Sequence, residues 1–468
     1  MRRDLRPFYA PRSVAVVGAG ERPTSSGGAV LHLLEKSGFV GEILPVNPKG
    51  GTIRNLKVRT SLRALDKPAD LCVIVIRPDT ILDAVREAIA TGHRHLLILP
   101  GGFAEAGEEG SKRDADLRAL AAEGGLTIAG PNCAGIIHLT ARGAPVGMAA
   151  TFLRDLPPGP DSQGRSIALL SQSGALAEEI IAKANAMAIP IGTIVSVGNA
   201  TQIGIADHLA YLAEDDGIAA VLLYIESPGD MQAFREVARH AAAKKPVIAL
   251  IGGRTPPGGA AARAHTGSTA LDERAAERFA RDCGMVRATS LRRLLLAARG
   301  FARYPRGIGK RVLVLSNSGG PGVLCADQCA IEGLALPALP PAMAERLRRR
   351  LPAEATVANP IDLLADARED RFGLAFEAAM REGKDAFDAV LTIHVVPFMV
   401  DPVPVVAALA ELARDAKRPL MQAMMGTLPG RDELFATMEA AGVPMFNDVE
   451  AMAETAGLLA AYPASRAP

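Results

Sequence analysis

Three times in this chain a run of β-branched and leucine residues breaks into a short turn of glycine and serine and then into a helical pattern. The stretches are SVAVVGAG from Ser13, followed by AVLHLLEKSG; SIALLSQSGALAEEIIAKANA from Ser166; and RVLVLSNSGGPGVLCADQCAIEG from Arg311. A buried strand feeding a small-residue turn and a helix opens a doubly wound α/β unit, so this recurrence constrains the fold most. With 468 residues and 49% hydrophobic content, the chain has material for about three such domains. Their expected bounds are 1–145, 146–305 and 306–468, with the proline- and glycine-rich Leu156 to Arg165 as a linker or exposed loop near the first boundary.

In the first domain further strands follow at EILPVNPKGG, Leu71 to Pro78, His95 to Phe103 and Leu126 to Gly135. The turn after the first strand has Gly18 and Gly20 but Pro23 where a third glycine belongs, so the dinucleotide fingerprint fails. The second strand ends in Asn47, Pro48 and Lys49 rather than in an acidic residue for a ribose hydroxyl, and the lysine favours a phosphorylated ribose. Both features argue against a nicotinamide-dependent dehydrogenase. Arg77-Pro78, Gly101-Gly102 and Pro131-Asn132-Cys133 fall at the carboxyl edge of the sheet, where open α/β folds bind ligands. Proline and glycine end strands in any such fold, so turn chemistry is the alternative for each.

The second domain brings the backbone amides near Ser173, Gly174 and Ala175 to a helix N-terminus, which suits a phosphate, though an ordinary serine cap has the same pattern. Ser318, Gly319, Gly320 and Gly322 open a second such helix without the lysine of a nucleotide-binding P-loop. The strand IAAVLLYIESPGD carries Glu226 to its carboxyl end, and the next strand, KPVIALIG, leads into GGRTPPGGAAARAHTGS with His265. That stretch reads as a glycine-rich, proline-broken loop. Successive strands are often neighbours, so Glu226 either lies solvated at the rim or holds one imidazole nitrogen and leaves the other nucleophilic. Taken alone, a histidine beside glycine is more often a loop residue than a catalyst. In the third domain PLMQAMMG reads as buried core, and Asp362 as a turn residue or a cleft ligand.

Lys and Arg number 52 against 51 Asp and Glu, so no global charge favours nucleic acid or an anionic membrane. Tryptophan is absent and aromatics are 4%, which argues against base stacking. The five cysteines are scattered without CxxC pairs, no metal-ligand cluster is visible, and neither a signal peptide nor a membrane span is apparent, so a reduced, cytoplasmic setting is expected.

In this order the motifs resemble the alpha chain of nucleoside-diphosphate-forming acyl-CoA synthetases, in the succinyl-CoA synthetase superfamily. SVAVVGAG, PVNPK, PGGF and GPNCAG look like that family's CoA-binding domain; SQSGAL, SVGN, YIES and AHTGS look like its succinyl-CoA synthetase-like domain; SNSGGPGVLCAD and NPIDLL resemble the ligase-CoA domain that follows. The resemblance implies a Rossmann-like domain followed by two flavodoxin-like domains. It implies that acyl-CoA and phosphate give acyl phosphate and CoA, that the phosphoryl group moves to a histidine, and that phosphohistidine phosphorylates a nucleoside diphosphate. His265 matches the phosphorylated histidine and Glu226 the glutamate that bonds its ring. The openings at Ser173 to Ala175 and Ser318 to Gly322 match the helix N-termini that hold the phosphoryl group. Gly18, Lys49, Pro78 and Asn132 fall where CoA contacts cluster.

Three positions depart from the family's pattern: Ala264 stands where serine is common, and Gln202 and Gly204 where acidic residues are usual. These bear on substrate preference or rate rather than on fold. No ATP-grasp pattern occurs in the chain, so ATP or ADP and Mg are expected on a separate ATP-grasp beta-type subunit. The other substrates are CoA and a small carboxylic acid. The competing reading is a CoA-binding regulatory or scaffold protein without turnover, against which stand the histidine and the glutamate.

Overall fold

The computed structural model describes residues 3–139, 147–227, 229–266, 271–427 and 430–462, with the side chains of 264–266 outside the description. The chain divides into two compact units, Met1–Thr289 and Ser290–Pro468.

The first unit opens with α1 (Arg6–Tyr9), β1 (Ser13–Val17), α2 (Ser26–Lys36) and β2 (Glu42–Val46), then a small antiparallel hairpin, β3 (Thr52–Ile53) and β4 (Leu56–Lys57). There follow β5 (Leu71–Ile74), α3 (Pro78–Ala90), β6 (His95–Ile98), α4 (Gly107–Glu123) and β7 (Thr127–Ala129). The sheet is parallel in the order β2-β1-β5-β6-β7. Strand alternation splits its two faces: Ala15, Cys72 and Ile74 enter the core under α3 and α4, while Val14, Val16 and Val73 enter the core shared with the next sheet.

That next sheet and the helices between its strands are built from β8 (Gly135–His138), β9 (Met148–Thr151), β10 (Ser166–Ser171), α5 (Gly174–Met187), β11 (Ile191–Ser196), α6 (Ile205–Leu212), β12 (Ile218–Ile225), α7 (Met231–Lys244), β13 (Val247–Ile251), α8 (Pro256–Thr266), α9 (Glu273–Asp282) and β14 (Val286–Ala288). Its order is β14-β13-β12-β10-β11-β8-β9. The central strands are buried end to end, as expected of strands covered on both faces. Polar residues start the helices: Ser25, Ser173, Asp230 and Asp272 each accept a backbone amide from the first turn that follows.

The second unit holds α10 (Leu291–Arg303), β15 (Val312–Ser316), α11 (Gly319–Ile331), α12 (Pro341–Arg350), β16 (Ile361–Asp362), α13 (Glu369–Arg381), β17 (Ala389–Val395), α14 (Pro402–Asp415), β18 (Leu420–Met425), α15 (Arg431–Ala440), β19 (Met445–Phe446) and α16 (Val449–Ala460). Its parallel sheet runs β16-β15-β17-β18-β19. Numbered by appearance, the five parallel strands of all three sheets therefore stand in one order, 2-1-3-4-5, that of doubly wound folds with a switch point between the first and third strands. The α/β class expected from the sequence is the one observed.

Two elements fall on the other side of the expected boundaries. β8 precedes residue 145 yet extends the second sheet, pairing antiparallel with β11 and with β9, because a strand finds its partner by register rather than by sequence distance. The helix α10, placed before the boundary at 305, packs against α16 and belongs to the second unit; Gly300 sits so close that a Cβ there would lie 2.7 Å from Thr455 Cγ2.

Candidate active site

At the carboxyl end of β1 the chain turns at Gly18, whose φ of +95° suits glycine, and where a Cβ would lie 2.7 Å from the carbonyl oxygen of Val75. The close-packing glycine missed by the fingerprint is Gly27: a Cβ there would lie 2.0 Å from the Gly18 carbonyl oxygen, so α2 rests directly on the turn. A longer loop moves that glycine past Pro23, and fixed spacing could not find it. Asn47 donates from Nδ2 to the Ala19 carbonyl at 2.8 Å and accepts the Lys49 amide at 3.0 Å. Lys49 is exposed, with no side-chain partner among the described residues. Pro78 begins α3 and packs on the Gly102 turn.

A cleft of about 770 Å³ opens between this sheet edge and α5. Val75, Ile76, Arg77, Leu99 and Gly101 line one side; Asn132, Cys133 and Ala134 the base; Phe152, Leu153, Gly174, Ala175 and Glu178 the other side. Of the expected CoA contacts Asn132 lines it, whereas Gly18, Lys49 and Pro78 do not. Asn132 takes a left-handed φ of +57° and donates to Asn199 Oδ1 at 3.1 Å; Asn199 in turn bonds Glu105. Burial opposes ionisation of Glu105, but hydrogen bonds from Asn199 and from the amides of residues 102 and 103 outweigh it and hold the carboxyl below its ordinary value. Cys133 donates weakly to the Ile98 carbonyl, and burial pushes its thiol up to about 12, which favours the thiol over the thiolate.

At the α5 opening the donors divide unevenly. The Ser173 amide bonds Ser171 Oγ at 3.1 Å, and Ser173 Oγ caps the Leu176 amide at 3.3 Å. The amides of Gly174 and Ala175 remain without acceptors among the described residues, and both residues line the cleft. The second unit repeats the device: the Ser318 amide bonds Ser316 Oγ at 3.0 Å, and the amides of Gly319 and Gly320 are left over. The Gly322 amide differs from these two, since it bonds the Ser318 carbonyl within the helix. Asp362 comes close to this opening, with Oδ2 3.3 Å from where a Gly319 Cβ would lie, while its Oδ1 accepts the Leu364 amide. Both repeats also clamp the neighbouring strand. Gln172 accepts the Glu226 and Ser227 amides at 2.6 and 3.0 Å and donates to the Ser227 carbonyl at 2.8 Å, and Asn317 bonds both backbone groups of Val395.

Glu226 is buried at the end of β12 and accepts the Tyr224 hydroxyl at 3.0 Å; burial and then the carboxylate's charge raise that phenol's pKa. Beside it, at the end of the parallel neighbour β13, a Cβ on Gly252 would lie 3.5 Å from Glu226 Cγ. The strand adjacency expected of Glu226 and the His265 stretch is thus present. The expected loop is instead mostly α8, because the prolines stand in its first turn, where the missing amide costs no helical bond. His265 is the penultimate residue of α8, and its side chain and that of Ala264 lie outside the described residues. Gln202 accepts the Ile128 amide at 2.7 Å and donates to the Leu126 carbonyl at 2.9 Å, a pairing a carboxylate could not complete.

Comparison with known proteins accords with these three sheets. Residues 12–139 match the family described as CoA binding domain, residues 163–301 the succinyl-CoA ligase like flavodoxin domain, and residues 312–425 the ligase-CoA domain. The chain is 34% identical over 398 residues to the alpha subunit of acetate–CoA ligase [ADP-forming] II of Pyrococcus furiosus, covering 85% of this chain and 84% of that one. It is 31% identical over 463 residues to the alpha subunit of isoenzyme I of the same organism, covering 96% and 95%. The fold matches the Ca. Korarchaeum cryptofilum acetyl-coenzyme A synthetase 1 solved with phosphate and ADP, with a TM-score of 0.90 at 27% identity over 99% of this chain and 97% of that one. The chain therefore belongs to the family of alpha subunits of ADP-forming acyl-CoA ligases, built on succinyl-CoA ligase-like domains.

Proposed function

We propose that this chain carries the acyl-CoA and phosphoryl half-reactions of an ADP-forming acyl-CoA ligase. The observation that carries this is the cleft in which the carboxyl edge of the CoA-binding sheet faces the two unengaged amides of Gly174 and Ala175. CoA lies along the sheet edge, with Asn132 beside it and Gly18, Lys49 and Pro78 assigned to its more distant parts. Phosphate bound at the Ser173 to Ala175 opening attacks the thioester carbonyl; the C–S bond breaks, and the departing thiolate takes a proton to give CoA and acyl phosphate. A ring nitrogen of His265 then attacks phosphorus, the P–O bond to the acyl group breaks, and the carboxylate leaves. Glu226 accepts from the other ring nitrogen and stabilises the charge that develops. Free amides at a helix N-terminus stabilise the anionic group with no metal at that point. Gly319 and Gly320 are assigned the same task in the second unit.

Phosphohistidine next passes its phosphoryl group to a nucleoside diphosphate. We assign that step, with the nucleotide and Mg, to an ATP-grasp beta-type partner; run in reverse, the sequence makes acyl-CoA from acid, CoA and ATP. The five cysteines are all free, which supports a cytoplasmic setting. The test is intact mass at alkaline pH, which protects phosphohistidine, after incubation with phosphate and acyl-CoA. A phosphoryl adduct on the wild type and none on His265→Ala is expected. An adduct on both proteins, or on neither even with the partner subunit present, overturns the assignment.

A further inference from the structure

The walls of the cleft beyond the Gly174 and Ala175 amides are not used by the mechanism above. Directly after β9 the chain turns Phe152 and Leu153 into the cleft, and the segment is fixed: the Phe152 amide donates to the Ala134 carbonyl at 3.3 Å, the Leu153 amide to Thr151 Oγ1 at 3.1 Å, and the Thr151 hydroxyl to the same Ala134 carbonyl. Leu153 is buried, but Phe152 is 41% exposed, an aromatic ring left open beside the two amides. Facing it on α5, three residues beyond Ala175 and four beyond Gly174, is Glu178. That spacing puts it on the same side of the helix, about 5 Å along the axis from the amides. Both its oxygens accept the Arg154 amide, at 3.0 and 3.2 Å, which leaves acceptor positions over and holds the carboxylate in place. Among the described residues the only cation lining the cleft is Arg77, on the opposite sheet edge and 3.4 Å from Asp79.

An acyl group whose carbonyl is attacked by a phosphate held at the Gly174 and Ala175 amides would extend into this space. Its body would meet Phe152 and Leu153, and its far end Glu178. A second carboxylate there would meet a fixed negative charge, with Arg77, the cation that lines the cleft, on the opposite edge. An apolar body would cover Phe152, and a neutral or hydrogen-bond-donating terminus would satisfy Glu178. We propose that Phe152 and Leu153 seat the acyl group and that Glu178 selects its class, favouring monocarboxylic acids with an apolar body larger than acetate over dicarboxylates. This rests on the ligase reading above.

The test uses the enzyme reconstituted with its partner subunit and measures acyl-CoA formation from acetate, butyrate, phenylacetate and succinate. Ratios of kcat/KM within one preparation are insensitive to the fraction that is folded. Wild type is expected to favour butyrate or phenylacetate over succinate at least tenfold. Phe152→Ala should lower the phenylacetate-to-acetate ratio at least fivefold, mainly through KM, with Phe152→Leu intermediate. Glu178→Gln should raise the succinate-to-butyrate ratio at least tenfold. A wild type that prefers succinate, or ratios unchanged in Phe152→Ala and Glu178→Gln, overturns the acyl assignment while leaving the ligase reading intact. Absence of acyl-CoA from any acid with the wild-type complex overturns both.

Discussion

Gly27→Ala tests whether α2 is held against the first turn by the absence of a side chain. The added carbon would lie 2.0 Å from the Gly18 carbonyl oxygen, 2.9 Å from its carbon and 3.2 Å from Ala19 Cα. These atoms are backbone in a fixed turn, so the helix must retreat by about 1 Å. Its large buried side chains are Val30, Leu31, Leu33 and Leu34, each contributing about 2 kcal/mol by burial. A gap of 0.5–1 Å forfeits about a quarter to a half of the contact energy, so the loss is roughly 2–4 kcal/mol. The propensity gain of alanine over glycine, at most about 1 kcal/mol, is smaller. The unfolding transition of the first unit should therefore fall by roughly 4–10 °C, and CoA affinity should weaken, because Ser26 in the same turn lines the cleft. The assay is calorimetry with a parallel CoA titration. Gly373→Ala is the control: in α13, its Cβ would meet only Leu412 Cδ1 at 3.9 Å, so it should stabilise the second unit by about 0.5–1 kcal/mol. Equal, small effects from both substitutions would refute the packing argument.

Two further predictions follow from buried polar groups. His208, bonded to the Tyr9 hydroxyl at 2.7 Å, and His394, whose ring nitrogens lack partners among the described residues, are both pulled down to about 4 by burial. Their neutral forms favour the folded state, so this stability is complete above the unfolded value near 6.5 and is lost as pH falls from there towards 4, by on the order of 3 kcal/mol per site. Urea denaturation at pH 7 and pH 4.5 should show it, and His208→Gln should flatten part of the slope; a flat profile between these pH values contradicts the burial argument. Gln172→Ala removes three hydrogen bonds, one to the Glu226 backbone and two to that of Ser227, so the rate of His265 phosphorylation should fall at least tenfold with CoA affinity little changed; a fall in CoA affinity alone would show that the clamp does not serve Glu226.

The periodicity of the strands and the small-residue turns made three doubly wound units legible, along with the positions of Glu226, Ser173 and Ser318 at strand and helix ends. These signals are local: a strand buried on both faces reads as an apolar run, and a helix start reads as serine or aspartate. The same locality fails at α8, because prolines in a helix's first turn carry the same local signal as prolines that break a loop. It also hid Gly27, which only the approach of α2 to Gly18 distinguishes from other glycines.

What the sequence determined by itself was the order of elements and the chemistry available at their ends. Tertiary structure decided which of those groups are spent and which are left over. Ser171 and Ser316 each take the amide of the serine two residues on, so the donors left over belong to the glycines and alanine that follow. Gln172 and Glu226 meet across 54 residues, Gln202 and Ile128 across 74. The cleft exists only because the antiparallel pair β8 and β9, which follows the first sheet, joins the second sheet and brings Phe152 beside α5. Hydrophobic period is written into neighbouring residues, but hydrogen-bond satisfaction and cavity shape depend on what distant segments bring to the same place.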